Sequence, residues 1–129
     1  KQAQDAIRWA DHLVIFYPLW LGSMPALLKA FLEQVFRPGV AFEYRAQGKM
    51  AKKLFTGKSA RIVVTMGMPA LVYRWFFLAH SLKSLERNIL AFCGIKPTRA
   101  TLIGQVEGMN ERQRASWLDE MRGLGDVGK

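Results

Sequence analysis

The sequence predicts an α/β fold built on a parallel sheet. Three short runs rich in β-branched and apolar residues, Leu13 to Tyr17, Ala60 to Thr65 and Thr98 to Ile103, are separated by stretches with helical spacing. The second run is apolar nearly throughout, as a strand covered on both faces requires. The first two end in turns containing Pro and Gly, with a helix following. Strands alternating with helices in this way pack as a parallel sheet with helical layers. At 129 residues the chain, 1–129, is about one domain.

The elements follow in order. Ala3, Ala6, Ile7 and Ala10 recur at i, i+3, i+4 and i+7, so the chain opens inside a helix. No capping residue precedes that stripe and the first residue is Lys1, so a segment upstream of it is expected. The strand Leu13 to Tyr17 breaks at Pro18. Pro25 then occupies the first helical position, where its missing N–H costs nothing, and the helix runs to Phe36 with Leu28, Phe31, Leu32 and Val35 on one side. Pro38-Gly39 stops it. Residues 40–58 carry Arg45, Lys49, Lys52, Lys53 and Lys58 with no acid after Glu43, which reads as an exposed excursion. The second strand ends in Met66-Gly67-Met68-Pro69. Helices over about Leu71 to Leu78 and Ser81 to Phe92 follow, with Gly94 as the stop. After the third strand, Asn110 and Gln113 form a capping box, and Trp117, Leu118, Met121 and Leu124 give the last helix an inward face.

Composition excludes several classes of function. Half the residues are hydrophobic, enough for a packed core. The single cysteine, Cys93, rules out an internal disulfide or a multi-cysteine metal site and suits a reducing, cytoplasmic setting. Two histidines, His12 and His80, are too few for a histidine-built metal site. No signal peptide is visible, and the longest uncharged run, Leu13 to Leu28, is shorter than the roughly 20 residues of a membrane span. The net charge of +9 raises nucleic acid as a partner. The bases are spread along the chain, however, and their densest run, Arg45 to Arg61, holds no aromatic except Phe55. The reading is therefore no nucleic acid, with dinucleotide phosphates or an acidic partner as the match for a basic surface. Ser-His-Asp, Walker and GxGxxG patterns are absent.

The loop Pro18-Leu19-Trp20-Leu21-Gly22-Ser23-Met24, between a strand and a helix, lies where parallel α/β sheets bind their ligands. It is apolar and aromatic, offers backbone donors, and carries neither lysine nor acid, which suits a flat uncharged ring better than a phosphate. On spacing alone, Trp20 and Tyr73 read as core aromatics, His80 as a capping or surface residue and Cys93 as buried packing, while Thr65 and Gly67 read equally as turn chemistry.

The blocks Ala10-Asp11-His12-Leu13-Val14, Tyr17 to Lys29, Val35 to Phe42, Thr65 to Pro69 and Phe92 to Pro97 resemble the flavodoxin-like NAD(P)H:quinone oxidoreductase family over nearly the whole chain. The resemblance implies a flavodoxin-like doubly wound parallel sheet of strand order 2-1-3-4-5, with this chain matching strands 3–5 and their helices. The first strand and its phosphate-holding loop have no counterpart here, so residues 1–129 alone are expected to bind flavin weakly or not at all, to lack full activity, and to self-associate or dissolve poorly through an uncovered strand edge. It implies FMN or FAD as cofactor, NAD(P)H as donor, a quinone or related acceptor, a ping-pong mechanism and a homodimer. It further implies that the backbone of Pro18, Leu19, Trp20 and Leu21, with the Leu19–Leu21 amides as donors, borders one side of the flavin ring, with Trp20 packing on it. Thr65, Met66 and Gly67 would border the other side, and Tyr73 and His80 would act at the reacting end. Where family members have Gly-Gly this chain has Gly67-Met68, which narrows the pocket. Some members are ancillary subunits of membrane potassium-efflux systems, so the alternative is an interaction module with a peripheral membrane-protein partner.

Overall fold

The computed structural model describes all residues from Lys1 to Lys129. The elements are α1 (Gln2–Trp9), β1 (His12–Pro18), α2 (Ala26–Val35), β2 (Phe42–Glu43), β3 (Lys52–Lys53), β4 (Ser59–Thr65), α3 (Ala70–Trp75) and α4 (His80–Ser84), which runs on into a π-helical stretch, Leu85–Ala91. They are followed by β5 (Thr98–Ile103), a 3₁₀ turn, Val106–Gly108, and α5 (Glu111–Asp126). The sheet has the order β1-β4-β5. Both ladders are parallel, with His12 opposite Ser59 and Ala60 opposite Thr98. All three strand ends therefore point the same way.

The period of two in each strand sorts the side chains into two faces. Tyr17, Ala60, Ile62, Val64 and Leu102 face one side and merge with Leu32 of α2, Leu82 of α4, Leu85 and Leu90 of the π-helical stretch, and Cys93 and Ile95 beyond it into one core. The other face carries His12, Val14, Phe16, Arg61 and Val63, and the C-terminal half of α5, at Met121 and Leu124, lies over it. β1 is an edge of the sheet, and Val14 and Phe16 on it are 51% and 61% exposed.

Four expectations are corrected. Pro25 is the residue before α2, with extended backbone (ψ 142), so the helix starts at Ala26. Residues 40–58 are more than a solvated excursion. β2 and β3 pair antiparallel, and Ala41 and Phe55 on either side of them are buried. The Phe55 ring stands edge-on to Phe36 at 5.6 Å, and its burial is worth about 2–3 kcal/mol, which outweighs the charged surroundings. Between the second and third strands, α3 stops at Trp75, and Leu78 and Ala79 both take positive φ before α4 begins. No residue of α5 is buried, and Leu118 lies on its solvent side. The capping box of Asn110 and Gln113 is present as expected. No helix is long and apolar enough to cross a membrane.

Candidate functional site

Three loops leave the carboxyl ends of β1, β4 and β5, and backbone hydrogen bonds lace them together. Leu19 N–H donates to the Thr65 carbonyl at 2.7 Å, binding the first loop to the end of β4. Met66 N–H donates to the Ile103 carbonyl at 2.9 Å. Gln105 and Val106 then donate back to the Met68 and Met66 carbonyls at 3.0 and 3.1 Å. Gly104 makes this closeness possible, since a Cβ there would stand 2.4 Å from Ala70 N and 2.8 Å from the Met68 carbonyl.

In the first loop Trp20 and Ser23 exchange both backbone hydrogen bonds, at 2.9 and 3.0 Å, around Leu21 (φ 49) and Gly22 (φ 76). Positive φ at both central residues is the pattern of a type I′ turn, natural for Gly22 and costly by about 1–2 kcal/mol for Leu21. The Trp20 ring is 63% exposed and the Leu21 side chain stands wholly in solvent. Of the three amides expected as donors, those of Leu19 and Trp20 are thus consumed within the chain. The open donors are Leu21 and Gly22, which the turn leaves without acceptors, and Gly67 and Met68 in the second loop. The Thr65 hydroxyl likewise makes no hydrogen bond in the chain, and Met66 is buried.

Beside the first loop runs a cleft of about 560 Å³. Trp20, Leu21, Ser23 and Met24 form one wall, Ser81 and Ser84 of α4 another, and Lys29 stands at its border. Ser81, Ser84 and Lys29 escaped the sequence reading. Isolated serines in a helix carry no spacing signal, and Lys29 sits within a helical stripe that reads as solvated.

Tyr73 lies behind this wall, 1% exposed. Its hydroxyl pairs with Ser81 Oγ at 2.6 Å and accepts from Leu82 N–H at 3.2 Å, so it meets the cleft only through Ser81. His80 is exposed at the start of α4 and makes no hydrogen bond; the tyrosine's partner is the residue after it. Tyr17, at the end of β1, is buried with an unpartnered hydroxyl. Burial pushes its phenol up to about 12, against a smaller opposing pull from the Ser81 hydroxyl nearby. Burial also pushes the Cys93 thiol up to about 11, which makes it a packing group rather than a nucleophile. No cluster of His, Cys, Asp and Glu gathers with metal-binding geometry.

The arrangement is a crest of unpartnered N–H groups, an exposed indole and hydroxyl-lined walls at the carboxyl ends of parallel strands. A family model described as Flavodoxin-like fold matches residues 1–123. The chain belongs to that family. Among relatives of this flavodoxin-like chain, an FMN-dependent NADH:quinone oxidoreductase of Hahella chejuensis is 38% identical over 93 residues, covering 71% of this chain and 42% of the relative. The human ribosyldihydronicotinamide dehydrogenase (quinone) is 30% identical over 132 residues, covering 92% of this chain and 54% of the relative. A solved structure from Streptococcus mutans superposes with a TM-score of 0.82 at 32% identity, over 96% of this chain and 64% of that one. The flavodoxin-like chain spans about half the length of the curated relatives it matches.

Proposed function

We propose that this flavodoxin-like chain supplies the ring-binding and acceptor side of an FMN-dependent NAD(P)H:quinone oxidoreductase. The observation that carries the reading is the pairing of two neighbouring strand-end loops. Each presents backbone N–H groups without partners, Leu21 and Gly22 in one and Gly67 and Met68 in the other, with no charged side chain between Pro18 and Met24 or between Thr65 and Leu71. Relatives named as FMN-dependent NADH:quinone oxidoreductases support the same cofactor, donor and acceptor class.

The residues fit a flavin ring. Open N–H groups are suited to the carbonyl oxygens and ring nitrogens of its polar edge, and the exposed Trp20 indole offers an apolar face. Bound FMN would supply two-electron transfer from NAD(P)H to the quinone in two half-reactions at one pocket. The chain's own part is positional. The Leu19–Thr65 hydrogen bond fixes the spacing of the two loops, so their donors need no reorganisation when negative charge develops beside them. Thr65 Oγ adds a side-chain donor. Tyr73 acts indirectly, since its hydroxyl holds Ser81, and Ser81 borders the cleft. Lys29 at the cleft's border is held in an ion pair with Glu33 at 2.6 Å.

Lumiflavin, the ring without its phosphate, isolates what these loops contribute. Saturable quenching of lumiflavin fluorescence is expected, weakened at least tenfold by Trp20→Ala. Menadione-dependent oxidation of NAD(P)H is expected once FMN is added. Absence of saturable binding of either flavin, up to the solubility limit, would overturn the reading. An interaction module on a membrane transport system gives the opposite result in the turnover assay, with partner binding and no oxidation.

A further inference from the structure

Between α3 and α4 the chain turns through two strained residues. Leu78 and Ala79 both take left-handed backbone, φ 54 and 49, which is costly for residues that carry a Cβ. Hydrogen bonds to Tyr73 hold the kink in place. Ala79 N–H donates to the Tyr73 carbonyl at 3.1 Å, and Leu82 N–H donates to the Tyr73 hydroxyl at 3.2 Å. The kink delivers Ser81 to the wall of the 560 Å³ cleft that Trp20 and Leu21 also line. Among the cleft's polar side chains Ser81 is the buried one, 7% exposed, whereas Ser23, Ser84 and Lys29 stand in solvent.

The protons of this cluster have one satisfactory order. The Tyr73 hydroxyl oxygen accepts from Leu82 N–H, and its own proton has Ser81 Oγ as partner at 2.6 Å. The reverse order would leave the proton of a phenol that is 1% exposed without an acceptor, which buried groups avoid. Tyr73 therefore donates and Ser81 accepts. That leaves the Ser81 proton unspent. A serine inside a helix ordinarily donates to a carbonyl one turn back, but α4 starts only at His80 and Ser81 makes no such bond. The Tyr17 hydroxyl is near, yet it too has no hydrogen-bond partner. What remains for Ser81 O–H is the cleft.

We propose that Ser81 is a catalytic residue: its Oγ–H donates to a carbonyl oxygen of the quinone acceptor seated in this cleft, and Tyr73 is the positioning residue that fixes the direction of that hydroxyl. The inference rests on the oxidoreductase reading above for the identity of the acceptor. The exposed Trp20 indole and the Leu21 side chain offer the apolar surface along which the flat ring lies. As electrons reach the quinone, negative charge gathers on its oxygens. A donor already aimed at one of them then binds more strongly without reorganising. No proton leaves Ser81; its contribution is the hydrogen bond alone.

The test compares 2,3-dimethyl-1,4-naphthoquinone, whose blocked ring does not add to thiols, with 2,3-dimethylnaphthalene, similar in shape and without carbonyls. Equilibrium dialysis against the full chain gives the ratio of the two affinities. Loss of one neutral hydrogen bond should lower that ratio about three- to tenfold in Ser81→Ala. The ratio should fall partway in Tyr73→Phe and hold in Tyr17→Phe. With the quinone ¹³C-labelled at its carbonyls, one bound resonance should move upfield in Ser81→Ala. Ser81→Cys, close in size and a far weaker donor, takes its place if Ser81→Ala does not fold. An unchanged ratio and resonance in the Ser81 variant, no quinone binding by the wild type, or a loss that follows Tyr17 instead overturns the proposal. Wild-type oxidation of NAD(P)H with FMN and menadione, measured alongside, separates the two claims. Turnover with an unchanged ratio sinks the role of Ser81 alone. No turnover with a falling ratio sinks the oxidoreductase reading and keeps Ser81 as the carbonyl's donor.

Discussion

Gly104→Ala is the substitution with the sharpest structural consequence. The added methyl would stand 2.4 Å from Ala70 N, 2.8 Å from the Met68 carbonyl oxygen and 3.1 Å from the Pro69 carbonyl carbon. All three are backbone atoms, so no side chain can swing aside, and the Met68–Ala70 segment must retreat by about 1 Å to reach ordinary contact. Overpacking of this kind costs about 1–3 kcal/mol where neighbours yield, and the rigid neighbours here place it at the upper end. The retreat also strains the Gln105–Met68 and Val106–Met66 hydrogen bonds, each worth about 0.5–1.5 kcal/mol. A destabilisation of roughly 3–5 kcal/mol is expected in urea denaturation. Gly123→Ala, in α5 with nothing within 4 Å of the added carbon, is the control and should gain up to about 1 kcal/mol from helix propensity. Because the displaced segment carries the Met68 N–H, lumiflavin affinity should fall in Gly104→Ala and hold in Gly123→Ala. Stability of Gly104→Ala within 0.5 kcal/mol of wild type would refute the claim that the β5 end buttresses the second loop.

Three further outcomes are expected. Tyr73→Phe removes a hydroxyl that serves both Ser81 and the Leu82 N–H, so it should cost about 2–4 kcal/mol, and a double-mutant cycle with Ser81→Ala should show coupling of at least about 0.5 kcal/mol; additive effects would mean the 2.6 Å pair contributes nothing. Tyr17 ionises near 10 when unfolded and about 12 in the fold. Its neutral form is the one the fold favours, so this stability is complete below pH 10 and is lost as pH rises toward 12. Relative to Tyr17→Phe, the wild type should lose roughly 2–3 kcal/mol over that window, measured by denaturant midpoints at each pH; parallel curves would contradict the burial argument. Leu21→Asn places the favoured Asn-Gly pair in the turn and removes no buried surface, so the thermal midpoint should rise by the equivalent of about 0.5–1 kcal/mol; a fall would mean that the leucine makes a stabilising contact.

The strands were readable because buried or half-buried strands leave short runs rich in apolar and β-branched residues, and β5 matches its expected bounds residue for residue, whereas their order came only from the family resemblance. The β2–β3 ribbon was hidden, since a two-residue strand has no period and Lys52-Lys53 reads as solvated surface while Ala41 and Phe55 do the burying. The outward turn of Leu118 was hidden for a related reason. α5 covers only part of the second face, so apolar residues at helical spacing outnumber the positions that meet the sheet. At the site, the loops were visible as aromatic strand ends. Which amides stay open was not, because that depends on hydrogen bonds between segments far apart in sequence, such as Leu19 with Thr65. Arg61 counts in the sequence as one of many dispersed bases, and only the fold shows it buried on the central strand.

The lacing of the three strand ends is made wholly of main-chain atoms, and this bears on how such a site can change over generations. Main-chain bonds are indifferent to side-chain identity, so the crest can exchange Trp20 or Leu21 for other residues and keep its shape. Selection is then free to tune what the crest recognises without renegotiating the fold at each step. The burden of constancy passes to a few silent positions, Gly104 foremost, that touch no ligand and carry no chemistry of their own.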